Sequence, residues 1–301
     1  MSIKRPPLLL RVFAYLNRKI PLVQFGRKIL ARVFDIQFDR YIRGKGYCDV
    51  ITLTQNTQIF LWLDEHVDII IWWQGFYEKF PSRVFKRLLN VGDRVIDVGA
   101  NIGYYSLLAS EIVGPSGRIF SFEPVTKIFD KLLLNSSDHS NITPVQVACG
   151  EQGGMTNIYV ADDSCSAGSR ISTPFENQPA ITEQIKLIKL DDYIEDQKID
   201  MVKIDVEGYE IHVLKGMADI LRDNLHIKVF IEVNKKLLAM SGSSPEEIFD
   251  YLKLFGLTAW QIDYKKRRLE LISKDRYWGD ENLILFAREE ALHDSLIHPN
   301  S

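Results

Sequence analysis

Three stretches of this 301-residue sequence carry acidic and small residues at spacings that could build a ligand site. In the first, Arg94 to Ser106, an apolar run ends in Asp97, turns through Gly99 and Gly103, and passes into helical spacing. Twenty-odd residues on, the run Arg118–Phe122 ends against Glu123 and Pro124. The third is Lys203-Ile-Asp-Val-Glu-Gly-Tyr-Glu210, which closes another apolar run. In alternating β/α chains, ligands bind outside the carboxyl ends of the strands, where glycines let backbone approach closely. Here the glycines are spaced G-x-x-x-G, without the third glycine of a dinucleotide fingerprint. A carboxylate at Asp97 repels a pyrophosphate and suits a cation. S-adenosylmethionine, with an ammonium, a sulfonium and no phosphate, is the cofactor this pattern favours. Glu123 stands where an acidic side chain accepts hydrogen bonds from ribose hydroxyls.

Asp205 emerges at the end of a central strand, next to the first-strand loop. There it could take a proton from an acceptor hydroxyl, with Glu207 beside it as the second candidate catalytic group. Glu207 and Glu210 also fit a plainer role, as negative charge at a helix N-terminus. Glu232 and Asn234 lie one strand repeat apart at the end of the next strand. With Asp205 they form an oxygen set that Mg²⁺ would accept. That set rests on analogy alone with enzymes that hold a metal at two such strand ends, and no metal is expected. Cys149 falls near the place for an adenine, as a small apolar neighbour.

The elements that must position these residues follow from periodicity. Strands are predicted at Arg94–Val98, Arg118–Phe122, Thr143–Val147, Ile199–Ile204, Lys228–Val233, Leu257–Asp263 and Asn282–Phe286. Helices are predicted near Gly103–Ile112, Lys127–Asn135, Gly208–Leu221 and Pro245–Leu254. Alternation of this kind means an α/β, doubly wound, mostly parallel sheet. An insertion over about residues 153–189 holds two strand-like segments around a polar run. Ahead of this catalytic domain (77–301) lies a segment at 47–76 that reads as a small β meander, Ile69–Trp73 forming one strand. Trp72, Trp73, Phe76 and Tyr77 read as packing.

Residues 1–46 are a basic leader: eight of the 37 Lys and Arg residues, and none of the 40 Asp and Glu, precede Asp35. Its apolar residues recur at three and four, giving two amphipathic helices separated by Pro21. The stripe can pack on the catalytic domain or meet a partner, the favoured reading, or meet a membrane surface. The apolar run is interrupted by Arg11 before it resembles a signal peptide, and nothing approaches the roughly 20 apolar residues of a membrane span. Three widely spaced cysteines form no disulfide framework or zinc motif. The expectation is a cytoplasmic protein with peripheral membrane contact left open. The net charge of −3 gives no reason to expect nucleic acid.

The three stretches together resemble the FkbM-type methyltransferases, a branch of the Rossmann-like class I methyltransferases. The matching residues are Gly92–Tyr104, Phe122–Pro124, Leu190–Asp192 and Lys203–Glu210, in order and at fitting spacing. The resemblance covers about residues 77–286. It implies a sheet of seven strands with the last antiparallel, and methyl transfer to a hydroxyl or carboxyl oxygen of a sugar, glycan or other secondary metabolite. The cofactor roles carry over to Asp97, Gly99, Asn101, Gly103 and Glu123. Two rivals remain on the residues alone. An NAD-type oxidoreductase would need a tolerable pyrophosphate site, and a non-catalytic binding module would have no use for Asp205 and Glu207 together. The acceptor pocket is expected from the insertion, the segment before Val91 and the loop around Tyr264–Asp280, none of which spells a substrate.

Overall fold

The computed structural model describes residues 4–19, 42–160, 169–171, 181–194, 198–263, 268–274 and 281–292. They divide into two compact units, one up to Lys79 and the other from Phe80 onward.

In the first unit, helix α1 (Leu8–Lys19) packs with α2 (His66–Gln74) beside a hairpin of β1 (Cys48–Thr52) and β2 (Gln58–Trp62). Hydrogen bonds tie α1 to its neighbours. Asn17 donates to the Trp73 carbonyl at 2.8 Å and Arg18 to that of Trp72. Asp49 accepts from Arg11 at 3.1 Å and from the Trp72 indole at 2.9 Å. The run Ile69–Trp73 is therefore helix, not the third strand of a meander. Its β-branched and aromatic residues favour a strand by propensity, but Asp68, Ile69, Ile71 and Trp72 are the buried positions, and that spacing suits only a helix. Gly75, at φ 82°, ends the helix by returning its N–H to the Ile71 carbonyl. The second leader helix, expected over Phe25–Phe34, lies outside the described residues.

The second unit is a sheet in the order β12-β11-β13-β10-β9-β3-β4-β5. Its parallel part comprises β3 (Arg94–Val98), β4 (Arg118–Phe122), β5 (Ile142–Val145), β9 (Met201–Ile204) and β10 (Lys228–Asn234). Then β13 (Glu281–Ala287) runs antiparallel between β10 and β11 (Thr258–Asp263). Those are the seven predicted strands, and the last in sequence is the antiparallel one. An eighth, β12 (Arg268–Ile272), adds an edge strand within the stretch expected to be a loop around Tyr264–Asp280. Only one of its two leucines, Leu269, is buried, too weak an alternation to read as a strand.

Helices α3 (Lys79–Leu88), α4 (Tyr104–Val113), α5 (Thr126–Ser136) and α10 (Pro245–Leu254) follow the apolar spacing. Between β9 and β10 the expected single helix is two, α7 (Glu210–Lys215) and α8 (Ala218–Asp223). The break falls at Gly216, whose place for a Cβ is 2.0 Å from the Gly150 carbonyl oxygen, so backbone presses on backbone there. Within the insertion, β7 (Gly154–Val160) and β8 (Ile181–Ile188) form a hairpin, and β8 also pairs with β6 (Ala148–Cys149). A four-residue helix, α6 (Leu190–Tyr193), returns the chain to β9.

Candidate cofactor and acceptor site

Strand register brings the site residues together. Asp97 on β3 lies opposite Lys203 on β9 and Ser121 on β4, and paired residues of a sheet share a face. One turn into α4, Ser106 donates to Asp97 Oδ2 at 2.6 Å and meets the Ser121 hydroxyl at 2.7 Å. Lys203 Nζ stands 3.7 Å from Asp97 Oδ1 and 3.2 Å from Asp205 Oδ2, and 5.0 Å from the centroid of the Tyr105 ring. Asp97 is 1% exposed, so its carboxylate is an internal charge beneath the loop. Burial raises its pKa, and Lys203 and Ser106 partly offset that. Asp97 Oδ1 is buried without a hydrogen-bond donor.

From Gly99 to Gly103 the loop is set by its backbone. Gly99, Asn101 and Gly103 have φ of 74°, 51° and 92°, a region glycine and asparagine tolerate best. A Cβ on Gly99 would lie 1.9 Å from the Asp205 carbonyl oxygen. Gly103 caps α4, and there a Cβ would lie 2.9 Å from Leu132 Cδ1. Glu123 secures the loop to β4. One oxygen accepts the Asn101 N–H at 3.1 Å, the other the Val125 N–H at 3.0 Å. Burial pushes its pKa up to about 7, although both N–H bonds favour the charged form.

At the end of β9, the Asp205 N–H bonds the Val98 carbonyl at 3.1 Å, tying the third stretch to the first. The Asp205 side chain remains 30% exposed. Glu207, half-buried, has φ 56°. Glu210 is enclosed: one oxygen accepts the N–H of Gly208 at 3.0 Å and of Val206 at 3.3 Å. Its pKa is driven up to about 7 by burial, and its Oε2 is buried without a hydrogen-bond donor. Glu210 thus closes the turn that presents Asp205.

Of the metal candidates, Asn234 is occupied elsewhere. Its side-chain oxygen caps α9 (Lys235–Met240) by accepting the N–H groups of Lys236 and Leu237. Among the described residues no three His, Cys, Asp or Glu side chains are grouped to hold a metal ion. Cys149 is buried, and burial raises its thiol pKa. His212 stacks on Tyr209 with 4.3 Å between ring centroids, 3.8 Å from Glu151, as a packing residue.

Sequence reasoning gave no role to Lys203, Ser106 or Ser121. All three stand inside or beside the motifs already singled out. Ser121 and Lys203 stand two residues before Glu123 and Asp205, but only the strand register sets them opposite Asp97.

The buried Asp97 carboxyl and the Glu123-anchored loop fit a cationic cofactor with a ribose better than a pyrophosphate. The strand order with this acidic loop defines a Rossmann-like class I methyltransferase domain, for which S-adenosylmethionine is the cofactor. Residues 97–259 match the methyltransferase FkbM domain, and the chain belongs to that family. This sets aside the dinucleotide oxidoreductase.

The chain is 30% identical over 134 residues to the hexuronic acid methyltransferase AglP of Haloferax volcanii, which is 43% of this chain and 52% of that protein. It therefore spans about half the length of that relative. Methyltransferase sdnD of Sordaria araneosa is 24% identical over 215 residues, 60% of this chain and 81% of its own. A solved structure of Aeropyrum pernix fibrillarin with S-adenosyl-L-methionine bound aligns with a TM-score of 0.41 at 17% identity, over 69% of this chain and 74% of that one. The fold assignment rests on the strand order of the chain itself.

Proposed function

We propose that the protein transfers a methyl group from S-adenosylmethionine to an oxygen, a hydroxyl or carboxyl, of a sugar or glycan acceptor. The observation that carries this reading is the joining of the cofactor loop to the Asp205 turn, through the Asp205–Val98 hydrogen bond and the Lys203 bridge between Asp97 and Asp205. The 30% identity to a protein named a hexuronic acid methyltransferase supports a sugar acid as the acceptor class.

When bound, S-adenosylmethionine supplies an electrophilic methyl group on a sulfonium. Glu123 has lone pairs left, after its two backbone bonds, for ribose hydroxyls. The 97–103 loop holds the cofactor by backbone, and Asp97 supplies negative charge beneath it. Asp205 Oδ accepts the proton of an acceptor hydroxyl as its oxygen attacks, and Lys203 Nζ fixes that carboxylate at 3.2 Å. Glu207, on the same turn, orients the acceptor. A base in this position contributes about 10²–10⁴-fold, and orientation of the two reactants supplies much of the remaining rate.

The test is methyl transfer from labelled S-adenosylmethionine to a panel of hexuronic acids and neutral sugars, with calorimetry of S-adenosylhomocysteine in parallel. Wild type should methylate a uronic acid. Asp205→Asn should lower kcat by about a hundredfold and leave S-adenosylhomocysteine affinity unchanged. Unaltered turnover in that variant would remove Asp205 from the reaction. Failure to bind S-adenosylhomocysteine at all would sink the whole assignment.

A further inference from the structure

Helix α1 buries only Ala14 and Asn17. Six of its twelve residues, Leu8, Leu9, Val12, Phe13, Tyr15 and Leu16, are exposed large apolar side chains, with Leu8 at 73% and Leu9 at 70%. Their spacing of three and four places them side by side on one face. Elsewhere the exposed apolar residues given by the described chain are scattered singly or in pairs, which needs no explanation. A continuous apolar helix face does.

We infer that α1 lies with this face in the surface of an anionic lipid bilayer. Charge selects the occupant. Lys4, Arg5 and Lys19 flank the face and are exposed, and no acidic residue occurs before Asp35. A second copy docked face to face would set one basic segment against another, with no acidic residue of either segment before Asp35 to answer it. An anionic surface answers it, with the apolar side chains entering the boundary between headgroups and acyl chains. Among the described residues no helix is long and apolar enough to cross a membrane, so contact of this helix is interfacial.

The experiment is co-sedimentation of the full chain with vesicles of phosphatidylcholine alone and of phosphatidylcholine with phosphatidylglycerol. The expected result is binding to the anionic vesicles, weakened by added salt and at least about tenfold weaker in the double variant Leu9→Glu, Phe13→Glu. These residues face outward, so the variant should keep the wild-type melting temperature and affinity for S-adenosylhomocysteine, which separates a lost surface from a lost fold. If the variant misfolds, Lys4→Glu with Arg5→Glu tests the charge arm alone. Absence of wild-type binding, equal binding to neutral vesicles, or a wild-type dimer that dissociates in the apolar variant without any vesicle binding would each overturn the inference.

Discussion

Glu123 does two things that oppose each other. Its carboxylate secures the cofactor loop through the Asn101 N–H, yet burial lifts its pKa to about 7. Ribose hydroxyls need the ionised acceptor, so affinity should be full above pH 7 and decline as pH falls through that value. Calorimetric titration of S-adenosylhomocysteine between pH 8 and 5.5 should show this slope in wild type, and a weaker but flat profile in Glu123→Gln. A slope that persists in the variant would assign the titration to another group. Glu123 itself was legible because one strand end and one spacing identify it. Lys203 was not, since its importance comes from standing opposite Asp97 in a parallel register that sequence does not state.

At the scale of elements, local signals carried far where packing agreed with them. The strands β3 and β4 and helix α10 have the bounds that apolar runs, a Ser244 cap and Pro245 indicate. They failed where tertiary contact overrode them, as in α2, where burial against α1 and Asp49 outweighed a β-branched run, and at Gly216, where one close backbone approach divided a helix. Asn234 belongs to the same lesson. Its type suits metal ligation, but its place at the start of α9 makes it a cap. Asn234→Ala should therefore cost about 1 kcal/mol of stability in denaturant unfolding while S-adenosylhomocysteine affinity holds. A selective loss of divalent-dependent activity with unchanged stability would restore Asn234 as a ligand.

Across the whole molecule, ionisation is set against folding in the catalytic unit. Glu123 and Glu210 reach about 7, and Asp93 and Asp97 are also raised, in each case chiefly by burial. A folded carboxyl with a raised pKa holds a proton that the unfolded chain has released. Its contribution is thus complete below the ordinary carboxylate range and is lost as pH rises to the folded value. For Glu123 and Glu210 that loss is on the order of 3 kcal/mol each. The ligand-free protein should melt at a higher temperature at pH 5.5 than at pH 8. Glu210→Gln should narrow the difference, because a glutamine oxygen can still accept the Gly208 and Val206 N–H groups. Scanning calorimetry at the two values checks this, and a ligand-free protein that gains stability toward pH 8 would contradict it.

The place beside Gly99 has a bearing on how this protein can be altered. With 1.9 Å between a Cβ there and the Asp205 carbonyl oxygen, the 97–103 loop and the turn that presents Asp205 press backbone against backbone and cannot be redesigned one at a time. Anyone seeking a new acceptor should leave residues 97–103 and 203–210 untouched as a cassette. The variation belongs outside those two segments.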